Sequence, residues 1–239
     1  MFSNLYFRFS KLVLQELLKG NFTIIKNIKY FNRWKTSLKP GMNSVTDQQP
    51  WITFPVIDFL KSKINSNSRV FEYGGGGSTL FFVNKVKQVV TVEHDPEWFT
   101  RLQQNLANES TKNWSGNLIL PENKKTGDSL DASNPDHYYT SDENFLGNIF
   151  KSYASYIDCY PDEFFDLVLV DGRSRPSCIF HSLTKIKKTG YLIVDNSDRK
   201  YYFKNLNTAL QKNFKLIFNQ KSPSPYADFF TQTGVWQKL

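Results

Sequence analysis

Four consecutive glycines, residues 74–77, separate the apolar run Val70, Phe71, Glu72, Tyr73 from a helical pattern that begins Ser78, Thr79, Leu80. Glycines at a strand-to-helix turn let backbone approach a bound molecule closely. The free N–H groups that open the following helix attract polar or anionic groups. Glu72, at the end of the preceding strand, and Gly74, Gly75, Gly76 and Ser78 are therefore candidate binding positions. A second run, residues 88–95 (QVVTVEHD), ends in Glu93 and His94, and Glu93 stands 21 positions after Glu72. A carboxylate there suits the paired hydroxyls of a ribose.

Two further strand-like runs end in aspartate: residues 165–178 (FDLVLVDGRSRPSC) carry Asp171, and residues 190–199 (GYLIVDNSDR) carry Asp195 and Asn196. In an open α/β sheet the carboxyl ends of strands border the binding crevice, so these three residues are expected to converge there. Arg173, Arg175 and Arg199 follow closely and are candidate substrate-binding residues, their planar forks suiting a carboxylate or a phosphate. Pairing with Asp162 or Asp198 at the surface is the competing reading. Of the three histidines, His94 adjoins Glu93, His137 lies in a polar stretch, and His181 reads as a packed helix residue.

The elements that must position these residues alternate short apolar runs with helical patterns, the signature of a parallel sheet with crossover helices. Strands are expected at 69–73, 88–93, 117–120, 165–171 and 191–195. The segments 215–219 and 228–237, joined by a Ser-Pro-Ser-Pro turn, read as an antiparallel hairpin that closes the sheet. The fold class is thus α/β, a mainly parallel seven-stranded sheet with a C-terminal antiparallel hairpin and helices on both faces. Residues 121–162 form a long polar connection with one helix expected over 143–158. Its length favours a lid above the carboxyl ends of the strands, against a plain surface insertion.

Residues 1–40 stand apart in charge. Eight basic residues against Glu16 alone give +7 of the chain's net +8. Two basic helices are expected, 10–19 and 21–37, with Phe22, Ile25, Ile28 and Phe31 recurring every third position. Such a segment either packs on the rest of the chain, residues 41–239, or meets an anionic membrane surface. The near-neutral remainder gives no reason to expect specific nucleic-acid binding. With 239 residues and 40% hydrophobic content the chain can bury one sizeable core. Cys159 and Cys178 form neither a disulfide framework nor a zinc spacing, and no apolar run approaches a spanning length. A cytoplasmic protein, peripheral at the inner membrane surface at most, is expected.

On Glu72, Gly74, Gly76 and Glu93 the chain resembles the class I S-adenosylmethionine-dependent methyltransferases, whose first motif is acidic-x-Gly-x-Gly. The resemblance spans residues 50–239 and implies a Rossmann-like methyltransferase fold. It also implies S-adenosylmethionine as cofactor, with the glycine turn against its methionine part, Glu93 on the ribose and His94 beside the adenosine. Dinucleotide-binding units share such a turn, and a nicotinamide-dependent oxidoreductase is the competing enzyme reading, although Thr79 replaces their third glycine. An aminopropyl transferase of spermidine-synthase type and a non-catalytic cofactor-binding module of the same fold also stay open. Asp171, Asp195 and Asn196 look like the magnesium ligands of catechol-type O-methyltransferases, but Arg173 and Arg175 stand where that family has a lysine. A weaker likeness to glucuronoxylan 4-O-methyltransferases, carried by the Val-Asp-Gly-Arg string and an Asp-Arg pair, implies a sugar hydroxyl as acceptor. The expected reaction is methyl transfer to a hydroxyl of a small molecule or glycan, with Asp171 the expected group that activates it.

Overall fold

A computed structural model describes residues 2–107, 112–123 and 129–239. Its core is a sheet whose strands lie in the order β3 (Trp114–Leu118), β2 (Gln88–Glu93), β1 (Arg69–Tyr73), β6 (Phe165–Val170), β7 (Ile186–Asp195), β10 (Phe230–Lys238), β8 (Phe214–Phe218), with β9 (Lys221–Pro223) pairing with β10 off that path. The first five in this order pair in parallel, and β10 runs antiparallel to both β7 and β8. The expected fold class is the observed one. The strand order reverses between β1 and β6, where an open α/β sheet leaves a crevice.

Period-two alternation divides the strands between two cores. Val70, Val89, Leu167, Leu169 and Ile193 face one cluster of buried residues, whereas Phe71, Tyr73, Val90, Val168, Val170 and Leu192 face another. The first is covered by helices α3 (Phe54–Lys63), α4 (Gly77–Val83) and α5 (Pro96–Ala107). The second is covered by α6 (Lys151–Ser155), α7 (Arg175–Lys185) and α8 (Asn207–Asn213).

Several expected boundaries move. The segment expected as one helix over 21–37 is a 3-10 helix, Phe22–Tyr30, followed by α2, Phe31–Ser37. The third-position spacing explains this, because three residues per turn is the 3-10 repeat. The helix expected over 143–158 is broken into a 3-10 turn at Glu143–Phe145, strand β5 (Asn148–Ile149), α6 and a second 3-10 turn at Tyr156–Cys159. Gly147 interrupts it at φ +82°, and β5 pairs with β4 (Glu122–Asn123), whose Glu122 carboxylate accepts the Lys151 and Ser152 N–H groups. The third strand begins at Trp114 rather than 117. Residues 124–128 of the long connection lie outside the described residues.

The N-terminal segment, led by α1 (Phe2–Leu18), joins the first core: Phe9, Val13, Ile24, Tyr30 and Trp34 are all buried within it. Trp34 Nε1 donates to the Ala227 carbonyl at 2.8 Å and Asn27 Nδ2 to Ser222 Oγ at 2.8 Å. Charge sets residues 1–40 apart in the sequence, but packing does not.

Candidate functional site

At the strand-order reversal β1 ends in a turn that only glycine fits. Gly74 sits at φ +89°, and a Cβ there would stand 2.9 Å from the Asp171 carbonyl oxygen. A Cβ on Gly77 would collide with the Ser44 carbonyl oxygen. The turn thus brings β1, β6 and the segment before α3 into backbone contact. Around it opens a cavity of about 650 Å³ walled by residues 74–78, Glu93, His94, Asp95, Trp98, Phe145 and Asp171 among others.

Glu72 is not in that wall. Its side chain shares the Val70 face of β1 and is fully buried behind the turn, where its carboxylate accepts the hydroxyls of Ser78 (2.7 Å), Thr91 (2.7 Å) and Thr79. Thr79 Oγ1 in turn accepts the Gly76 N–H at 3.0 Å. Burial pushes the Glu72 pKa up to about 7, against the opposing hydrogen bonds. Its role here is to brace the turn from beneath, a different placement from the direct cofactor contact expected from its motif position.

Glu93 does face the cavity. Oε2 accepts the Gly75 N–H at 2.9 Å, while Oε1 accepts the N–H groups of His94 (2.7 Å) and Asp95 (2.9 Å) and lies 2.7 Å from His94 Nδ1. Burial alone would raise its pKa, but these donors outweigh it and hold the carboxylate below its ordinary range. Oε1 is fully engaged, whereas Oε2 retains a lone pair for one donor from a ligand. His94 packs edge-on against Phe145 at 5.2 Å and Phe150 at 5.8 Å.

Asp171, Asp195 and Asn196 do gather, but around a guanidinium. Arg175 is buried and donates to Asp171 Oδ1 (3.0 Å), Asn196 Oδ1 (3.3 Å), the Gly172 carbonyl (3.0 Å) and the Asp195 carbonyl. Asp195 Oδ1 is taken up by the Thr233 hydroxyl at 2.7 Å. A fixed cation already occupies the centre of the donor set expected to hold magnesium, so the residues do not fit a divalent ion. Among the described residues no group of three His, Cys, Asp or Glu side chains could hold one. Asp195 and Asn196 do not line the cavity, and Arg175 is committed to the protein rather than free for an acceptor. Asp171 keeps a side chain about 30% accessible. Burial, then the nearby Asp195 carboxylate, raise its pKa, and Arg175 opposes them.

Beside the first cavity lies a second, about 260 Å³, which shares Gly172 and Arg173 with it and adds Tyr139, Arg199 and Tyr201. Arg173 reaches Asp142 at 3.2 Å and lies over the Phe145 ring at 5.4 Å. Arg199 donates to the Tyr202 hydroxyl at 3.0 Å. Parts of the long polar connection therefore wall both cavities: Asn144 and Phe145 the first, residues 139–142 the second. His181 lies elsewhere, paired with Asp158 at 2.7 Å, and His137 Nδ1 accepts the Asp131 N–H.

Trp98, Trp51 and Ser44 are wall residues that the motifs in the sequence did not single out. Trp98 donates through Nε1 to the Gly75 carbonyl at 2.6 Å, and its place in the first turn of α5, just beyond Glu93, was the available signal. Nothing in the sequence marks Ser44 or Trp51, which arrive from before α3.

The sequence matches no known family profile and no curated protein. Among solved structures it is similar to a candidate methyltransferase from Streptococcus mutans in complex with SAH, at 15% identity over 76% of this chain and 94% of that chain, TM-score 0.52. It is also similar to TrmN from Thermus thermophilus, at 12% identity over 77% of this chain and 49% of that chain, TM-score 0.50. An rRNA methylase from Streptococcus thermophilus aligns at 18% identity over 76% of this chain and 93% of that chain, TM-score 0.47. The chain has a class I, Rossmann-like methyltransferase fold.

Proposed function

We propose that the chain is an S-adenosylmethionine-dependent methyltransferase acting on a hydroxyl of a small molecule or glycan. The observation that carries the reading is the cavity at the strand-order reversal, where glycine backbone and the open lone pair of Glu93 Oε2 share one wall. Gly74 to Gly76, Ser78, Glu93, His94 and Trp98 are the residues that would hold the cofactor. Bound there, it would supply an electrophilic sulfonium methyl.

The chain's own residues supply positioning and charge. Asp171 lines the first cavity, next to Gly172 and Arg173, which also line the second, and is the proposed acceptor of the hydroxyl proton. Its raised pKa makes it a stronger base than an ordinary carboxylate, and its ion pair with Arg175 fixes its direction. Arg173 and Arg199, beside Tyr139 and Tyr201, favour an acidic acceptor such as a uronic acid or a phosphorylated sugar. No step of this reading is routed through a metal; the charge opposite the Asp171 carboxylate is the Arg175 guanidinium.

Calorimetry with S-adenosylmethionine, its demethylated product and NADH tests the first part. Tight binding of NADH alone would sink it. Transfer of labelled methyl to a panel of sugars, glycolipids and phenols tests the rest. Asp171→Asn should lower turnover by about a hundredfold or more while leaving cofactor affinity within about threefold. Turnover that survives the substitution would remove Asp171 as the base.

A further inference from the structure

The 3-10 helix Phe22–Tyr30 has three residues per turn, so its side chains fall into three straight rows. Ile24, Asn27 and Tyr30 form the row buried against the domain. Phe22, Ile25 and Ile28 form a second row, 70%, 54% and 51% exposed. Thr23, Lys26 and Lys29 form the third, also exposed. One row anchors, one is bare hydrocarbon and one is basic.

Helix α1 extends the same character. Phe9 and Val13 turn into the core, while Tyr6, Phe7, Leu14 and Leu18 are exposed, Leu18 at 80%, with Lys11 exposed among them. Seven of the sixteen exposed large hydrophobic side chains among the described residues thus lie within residues 6–28. A concentration of this kind marks an interaction surface. We infer that this face docks the protein on an anionic phospholipid bilayer, apolar row and aromatic rings in the headgroup boundary and lysines on the lipid phosphates.

Charge decides the occupant. Across residues 6–29 Lys11, Lys19, Lys26 and Lys29 stand against Glu16, Arg8 being paired with Asp228, so two copies of the face brought together would oppose like charges, whereas an anionic surface neutralises them. Lysine stems also cover apolar surface while their ammonium groups reach the phosphates. Peripheral docking is the form available, since no described helix is long and apolar enough to cross a membrane. The docked segment is tied to the site: Arg8 pairs with Asp228 at 2.8 Å, and Tyr226 packs on Trp51, a wall residue of the first cavity, at 5.9 Å.

Flotation of the full chain with phosphatidylcholine vesicles and with vesicles of equal parts phosphatidylcholine and phosphatidylglycerol, at low and high salt, tests the inference without reference to activity. Binding is expected to the anionic vesicles at low salt and to weaken at high salt. The triple variant Phe22→Ser, Ile25→Ser, Ile28→Ser should weaken it by about tenfold or more, and Lys26→Gln with Lys29→Gln by severalfold. Leu18→Ser, at the most exposed position, provides a single substitution with the same expected direction. Absence of flotation with anionic vesicles at low salt overturns the proposal, as does a triple variant that melts like the parent and floats as well. So does a stable dimer that the triple variant converts to monomer.

Discussion

Glu93 and Glu72 are the same residue type at the ends of neighbouring strands, yet the structure gives them opposite duties. Glu93 turns one oxygen to the cavity and commits the other to its own loop. Glutamine at this position keeps one acceptor oxygen but sets an NH2 group against either the Gly75 N–H or the His94 and Asp95 N–H pair. Glu93→Gln is therefore expected to weaken S-adenosylmethionine binding by about 1.5–3 kcal/mol, on the order of 10- to 150-fold by calorimetry. An unchanged affinity would mean that the cavity does not read a hydroxyl through this carboxylate. The motif spacing made Glu93 legible in the sequence because its chemistry points outward. Glu72 matched the motif as well as Glu93 did, but which side of the sheet it faces follows from the alternation of β1, and that alternation puts it with Val70, away from the crevice. Arg175 was legible only as a cation. That it lies buried amid Asp171, Asn196 and the Asp195 carbonyl depends on two strands that meet in space and not in sequence.

At the scale of elements, the turn from β1 into α4 depends on Glu72 as a brace, and that brace is sensitive to pH. Burial holds its folded pKa at about 7 against an ordinary value of 4.5. The folded state therefore keeps its proton to higher pH than the unfolded chain, so the contribution is fully present below about pH 4.5 and is lost as pH rises through about 7. The loss by about pH 8 is on the order of 3 kcal/mol. Glu72→Gln can still accept from Thr79 and Thr91 and donate to Ser78, and it cannot ionise. Urea denaturation across about pH 5 to 8 should show a shallower decline in stability for this variant than for the parent. Parallel profiles would place the titration elsewhere, Asp171 and Asp195 being the other carboxylates whose pKa is raised. Strands β1 and β2 matched their sequence boundaries because apolar runs bounded by polar residues define them. The edge strand β3, with Ser115 and Asn117 between its apolar residues, was displaced for want of such a run. The helix expected over 143–158 failed because a two-residue pairing with Glu122–Asn123 and the αL glycine at 147 override local helical spacing.

At the scale of the whole molecule, the packing of residues 1–40 on the domain leaves the proposed membrane contact open to test. A single helix with one apolar stripe would have to choose a side, but a 3-10 helix with three rows commits one row to the core and leaves another bare. Only the spacing of three, not the choice of buried row, was visible beforehand, because Asn27 finds a buried partner in Ser222 from the far end of the chain. The N-terminal segment as a whole is anchored by Trp34 of α2, fully buried, 5.2 Å from the Phe9 ring and bonded to the Ala227 carbonyl. Trp34→Ala removes that packing and orphans the carbonyl, so a loss of about 3–5 kcal/mol in urea denaturation is expected. A loss below about 1 kcal/mol would show that the N-terminal segment is detachable. A large loss, with vesicle binding still abolished by the three serine substitutions on the exposed row, would establish that the N-terminal segment both completes the core and presents a docking face.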